Sequence, residues 1–326
     1  MLSARVPAAC GQCARGCRWL GAERGLRAGV RLYTGNEDRP GDAYSLGAFR
    51  RGGTFGASFV AALRAAGVTP DFFLAEYGAR QFEVTIAPAP ALVAADHAVI
   101  TREMARAAAF RLGYRACFSP MPAAEGVGNG VHIQMSLRDV SGKPAMHHPA
   151  APYGLGEAAA QFCAGVLHHL SAIAAITAPS PVSYLRPTPN RWAPTMIDIL
   201  HQDRGAAIRV CPVFASRDSE DFAHQYHVEF RVCDAAASPY LALGAVIFAG
   251  SDGIARKLAL PDPGQGPASL PHSLAEALVA MEASEAVPQW FGPVFRQAYP
   301  CHKRSELAHV AGLGVTELCS RCAEIY

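Results

Sequence analysis

The sequence predicts an α+β fold, an antiparallel β-sheet with helices packed on its outside. Three observations carry this. "FFLAEYG" and "QFEVTIAP" are two strand-like runs separated by a glycine-containing turn, which is a hairpin signal. Long helical stretches, Leu92 to Leu112 and Gly156 to Ile176, are inserted between the strands. Strands then return at "GAAIRVCPV" and "YHVEFRV".

The elements follow in order. "NEDRPGD", Asn36 to Asp42, is a turn-rich loop. Ala57 to Ala66 reads as a helix ended by Gly67, and the hairpin and first long helix come next. "RACFSP" and "GVHIQMSLRDVSGK" are further strands. In the second, polar and apolar residues alternate after "GNG", so His132, Gln134 and Ser136 share one face. "SPYLALGAVIFAGSDGIARKL" begins with Ser238 as a good N-cap and Pro239 in the first helical turn. Its apolar run, Leu241 to Ile254, is interrupted by Ser251 and Asp252 and reads as a buried helix. Two or three shorter helices complete the C-terminus.

At 326 residues the chain can bury a sizeable core. A net charge of +2 argues against a nucleic-acid binder, which would show a basic excess. No apolar run reaches the ~20 residues needed to span a bilayer, so no membrane partner is expected. The first 35 residues are Arg-rich with Glu23 the lone carboxylate, yet lack the Ser richness of a transit peptide. They read as an atypical segment, disordered or frame-disturbed, and the expected domain runs from 36 to 326. With no secretory signal, the expected location is the cytoplasm. Of the ten cysteines, Cys117, Cys163, Cys211 and Cys233 sit in apolar segments and read as buried thiols. Cys10, Cys13 and Cys17 at one end and Cys319 and Cys322 at the other leave a cysteine-based metal module as an alternative.

The chemistry-bearing residues lie on strands. A hairpin brings Glu76 and Glu83 together, and Glu229 and Arg231 share a face of another strand. Arg204 and Arg209 bracket "GAAI", and Arg186 follows "SYL". Carboxylates with one imidazole suit hard divalent cations such as Mg²⁺ or Mn²⁺. Nearby guanidinium forks suit phosphates and carboxylates.

Five stretches, in order, resemble the catalytic domain of the glutamine synthetase family. They are "EYGARQFEVTIAPAPALVAAD", "GVGNGVHIQMSL", "SYLRPTPNRWAP", "DRGAAIRV" and "HVEFRVCDAAASPYLALGAVIFAGSDGI". The third has the form seen in γ-glutamyl-polyamine synthetase-like branches. The resemblance implies a curved sheet and a ligase. ATP phosphorylates the γ-carboxylate of glutamate, and ammonia or an amine then displaces the phosphate. It implies that Glu76 and Glu83 hold one metal ion, and His132 and Glu229 a second. Arg186 and Arg231 would grip glutamate, with Gly128 offering backbone to its amino end. Arg204 and Arg209 would stabilise phosphates, and Gln134 and Ser136 would line the nucleotide pocket. A homo-oligomer with active sites near subunit interfaces is implied as well.

The sequence departs from the family pattern in several places. The family's E-x-E strand corresponds to "GVRLYTG", where Gly29 and Arg31 replace the two glutamates. Gln134 replaces a His, His227 an Arg, and Trp192 stands where ammonia-handling members carry a Glu, as in amine-using branches. The family's N-terminal β-grasp domain has no room before residue 29. Impaired ligase activity is therefore expected, and a catalytically silent structural or binding relative is the alternative.

Overall fold

The computed structural model describes residues 26–33, 43–187, 193–217, 219–262, 266 and 268–326. Among them, nine strands form one sheet: β1 (Leu26–Tyr33), β2 (Pro70–Ala75), β3 (Gln81–Ile86), β4 (Arg115–Cys117), β5 (Val131–Met135), β6 (Met196–His201), β7 (Ala206–Val210), β8 (Val228–Phe230) and β9 (Ala268–Ser269). The spatial order is β2-β3-β1-β5-β8-β7-β6-β9, with β4 also pairing β1. The pairs are antiparallel except β6 with β7, which run parallel, so the expected antiparallel sheet is mixed at this end. The short link Gln202–Gly205 does not form a hairpin. Strand β6 ("MIDILH") was not anticipated, because its apolar residues do not alternate cleanly.

Strand β1 lies before the domain border expected at residue 36, yet it sits inside the sheet, between β3 and β5. Gly29 is paired opposite Glu83 and Arg31 opposite Gln81. Cys10, Cys13, Cys17, Trp192 and the loop residues 36–42 lie outside the described residues.

Helices α1 (Leu46–Arg51), α2 (Phe55–Ala65), α3 (Ala91–Arg111), α4 (Glu157–Thr177), α5 (Glu220–Gln225), α6 (Pro239–Arg256), α7 (Leu274–Ala283), α8 (Val287–Trp290), α9 (Gly292–His309) and α10 (Val315–Ile325) complete the fold. Helix α2 ends as expected: Gly67 has φ +79°, a conformation that glycine adopts without steric cost. Ser238 stands at the N-cap of α6, but its side chain makes no capping bond.

Alternation along the strands divides the sheet into two faces. Val84, Ile86, Ile133, Met135, Ile208, Val210, Val228 and Phe230 point into one apolar core with residues of α3, α4 and α6. Helix α4 is long and apolar enough to cross a bilayer, against the expectation from run lengths. However, 78% of its most apolar window is buried inside the fold, which makes it a core helix. It packs on α6 through glycines: a Cβ on Gly165 would lie 2.2 Å from the Ala249 carbonyl oxygen and 2.7 Å from Gly253 Cα. Between the same helices His169 Nε2 meets Asp252 Oδ2 at 2.7 Å. Cys319 and Cys322 are buried on α10 in a small apolar cluster with Met121 and Val182. Among the described residues no three His, Cys, Asp or Glu side chains converge in a metal-holding group.

Candidate active site

The other face of the sheet opens into a cavity of about 290 Å³. Glu76, Glu83, Gly128, His132, Arg186, Arg204, Arg209 and Arg231 all line it. The opposite alternation that buries Phe82, Val84 and Ile86 aims Gln81, Glu83 and Thr85 into this space. Gln134 and Ser136 continue the His132 face and are buried, but neither lines the cavity; Gln134 pairs opposite Glu229. Sequence reasoning missed Tyr44, Phe72, Leu74, Tyr77 and Gln81, which line it too.

Glu229 is the most enclosed of these side chains, at 0% exposure. Its Oε2 accepts from Arg209 at 2.8 Å and from Arg231 at 2.6 Å. The register explains this: Arg209 stands opposite Glu229 in the β7–β8 pair, and Arg231 is two residues on along the chain. Oε1 has no hydrogen-bond partner and faces His132 Nδ1 at 3.4 Å. Burial opposes ionisation of Glu229, but His132, Arg231 and Arg209 together hold its carboxyl well below the usual range. Burial, reinforced by Arg231 and Arg186 and only partly offset by Glu229, lowers His132 to about 4. The imidazole is thus neutral near pH 7, which is the ligand form.

Arg186 follows a 3₁₀ turn, Pro181–Leu185, and is buried. Its Nη2 donates to the Cys233 carbonyl at 3.1 Å and reaches those of Val232 and Arg231 at 3.4 and 3.5 Å. Two glycines make room for it. A Cβ on Gly128 would lie 2.7 Å from Arg186 Cγ, and one on Gly130 would lie 2.7 Å from its Nη1. The "GNG" stretch is therefore a steric requirement of the arginine beside it. Arg231 Nε donates to the Arg204 carbonyl at 3.3 Å, which ties the β6–β7 link to the cavity.

The far side is built differently. Glu76 accepts from the Tyr44 hydroxyl and from the Tyr77 amide, each at 3.2 Å. Tyr44 has φ 62°, a left-handed conformation costly for a non-glycine residue, and its amide donates to the Ala75 carbonyl at 2.9 Å. Burial and then Glu76 push the Tyr44 phenol up to about 12, so it stays a donor. Tyr44 and Tyr77 meet edge to face at 5.7 Å.

This donor set fits a divalent cation on two counts. Glu229 Oε1 is a buried acceptor with no hydrogen bond, and it faces a neutral imidazole nitrogen. Glu76 and Glu83 offer a second carboxylate pair on the same cavity.

A sheet face carrying four arginines, a buried carboxylate–imidazole pair and two further carboxylates has the chemistry of a class of site suited to phosphate and carboxylate groups together with cations. Residues 22–315 match the family model described as glutamine synthetase, catalytic domain, and the chain belongs to that family. It is 38% identical over 272 residues to the γ-glutamylpolyamine synthetase GlnA3 of Streptomyces coelicolor, covering 79% of this chain and 57% of that protein. It is 32% identical over 241 residues to the glutamine synthetase of Methanocaldococcus jannaschii, covering 69% of this chain and 51% of the relative. The chain thus spans about half the length of these relatives. The crystal structure of a glutamine synthase homolog superposes with a TM-score of 0.87 at 40% identity, over 94% of this chain and 71% of that one.

Proposed function

We propose that the cavity is the active site of an ATP-dependent ligase that joins the γ-carboxylate of glutamate to an amine or ammonium through a γ-glutamyl phosphate. The observation that carries this reading is the polarity of the cavity. Arg204, Arg209 and Arg231 cluster on and beside β7 and β8, and Glu76 and Glu83 lie on the β2–β3 hairpin. Three strand spacings of ~4.8 Å separate β8 from β3, so the two ends stand about 14 Å apart. An anionic donor with its nucleotide suits the first end. A cationic amine suits the second, where tyrosine rings flank a carboxylate.

In this reading Arg186 and Arg231 hold glutamate over the Gly128 backbone, and Arg204 and Arg209 neutralise phosphate oxygens. Gln134 and Ser136 extend that strand face toward the nucleotide. Family members use ATP and divalent metal ions. The residues that would hold Mg²⁺ or Mn²⁺ are His132 with Glu229, and Glu76 with Glu83. Such a cation supplies charge neutralisation for phosphoryl transfer. Similarity to a γ-glutamylpolyamine synthetase and the apolar rim of Phe72 and Leu74 favour an alkylamine over ammonium.

Turnover is slow in this proposal, because Gly29 and Arg31, opposite Glu83 and Gln81, offer no carboxylate. A cytoplasmic homo-oligomer is part of the same reading, and light scattering tests the oligomer. The deciding assay is phosphate release from ATP with glutamate and a panel of amines. Release that depends on both glutamate and an amine supports the ligase. Release indifferent to both refutes it, and so does the absence of release, which leaves a silent relative.

A further inference from the structure

We infer that Gln81 and Asn129 are positioning residues, an amide clasp that sets the glycine loop against the carboxylate hairpin. Gln81 is 3% exposed and Asn129 0%. Gln81 Nε2 donates to the Gly128 carbonyl at 3.0 Å and to Asn129 Oδ1 at 2.7 Å. Its Oε1 accepts from the Gly78 amide at 2.9 Å. Asn129 Nδ2 donates onward to the Ser119 carbonyl at 2.8 Å. The Gln81 backbone also closes the hairpin turn, donating to Gly78 and accepting from Glu76.

The chain of amides has one orientation. A backbone N–H at Gly78 demands an oxygen, so the Gln81 nitrogen must face the loop. A carbonyl at Ser119 demands a nitrogen, so the Asn129 oxygen must face Gln81. Gly78 leaves the space for this, since a Cβ there would lie 2.8 Å from Gln81 Oε1. One side chain therefore joins the turn carrying Glu76, the strand carrying Glu83 and the loop leading to His132. At 3% exposure its side chain is almost wholly withdrawn from water, so leaving its polar atoms unpaired is costly. The clasp holds Gly128 under Arg186, where the ligase reading seats glutamate, and it fixes both carboxylates relative to the imidazole.

The proposal distinguishes positioning from space filling. Methionine at 81 keeps the volume and loses the bonds. Glutamate keeps the shape but puts a carboxylate oxygen against two oxygen acceptors. Function should rank Gln81 above Gln81→Met above Gln81→Glu, whereas a space-filling role would make all three alike. Two measurements are made on the full chain. Amide exchange of Asn129 and Val131, bonded to the Pro120 and Cys233 carbonyls, should accelerate at least tenfold in Gln81→Met. Exchange of Arg231, bonded to Ala207 across the sheet, should stay within twofold. KM for glutamate should rise at least tenfold, with KM for ATP within threefold, and Asn129→Ala on top of Gln81→Met should add less than twofold. Unchanged exchange and KM in both Gln81 variants, or exchange raised equally across the sheet, overturns the inference. The kinetic arm rests on the ligase reading and the exchange arm does not. An inactive parent chain refutes that reading, and the exchange result then decides the clasp alone.

Discussion

The two ends of the cavity are held in place by opposite means. The arginine end is built from buried charge: Glu229 ties Arg209 and Arg231 together at full burial, and removing Glu229 leaves both arginines uncompensated. The hairpin end is built from hydrogen bonds with neutral donors and from backbone turns, with Glu76 held by a phenol and an amide and left partly open to solvent. In the ligase reading, the first arrangement makes stability and binding inseparable, because the same guanidinium groups would do both. The second leaves its carboxylates free to change partners without loss of fold, which suits a site where a charged amine arrives and a neutral amide leaves.

The most severe way to break this contrast is Glu229→Ala. Two guanidinium groups would stay buried without their counter-charge, at a cost of about 3–5 kcal/mol. Urea denaturation measures this. A loss below about 1 kcal/mol would mean that the arginine end is not locked by Glu229. Arg209→Ala should weaken binding of an ATP analogue about tenfold to a hundredfold, the range for losing a charged hydrogen bond of about 1.5–3 kcal/mol. Calorimetry with unchanged affinity would contradict its phosphate role.

The hairpin end should respond by gain. Gly29→Glu with Arg31→Glu puts two carboxylates at the register positions opposite Glu83 and Gln81. Mn²⁺ affinity by calorimetry should rise about tenfold or more. Equal affinity would mean that these positions do not address the cation.

Asp234 sharpens the comparison from beneath the loop, where it bridges Gly130. Burial raises it to about 6, against the pull of Arg186. A carboxyl raised in the folded state binds more protons folded than unfolded between its two pKa values. Its contribution is full below the unfolded value and declines as pH rises through about 6. Asp234→Asn should therefore gain on the parent in melting temperature between pH 5 and pH 8. A parent–variant difference that is flat over that interval would contradict the shift. The smallest effect is expected from Tyr44→Phe, which loses one hydrogen bond of an exposed side chain. Stability should change by less than about 1 kcal/mol, while KM for the amine rises a few-fold.

The order of the five motifs was legible from their resemblance to a known family. The strand face of His132 and the Glu229–Arg231 pair were legible because each depends on period-two alternation within one short run. The hairpin with Glu76 and Glu83 was legible for the same reason. Gln81 was not, since a glutamine inside a strand carries no signal until its partner is known. Asn129 and Ser119 lie 48 and 38 positions away along the chain. Tyr44 was missed because nothing local marks a left-handed tyrosine.

By itself, the sequence determined which residues share a strand face, the limits of α2, α3 and α4 to within two residues, and which family of motifs they form, whereas the two or three short helices expected at the C-terminus are four, one of them 18 residues long. These are local properties, written in spacing. The parallel pairing of β6 with β7, the meeting of Arg209 with Glu229 across β7 and β8, the insertion of β1 between β3 and β5, and the closure of the amide clasp were decided only in the tertiary structure. Each depends on strand register, and register is fixed by burying one whole face of the sheet at once.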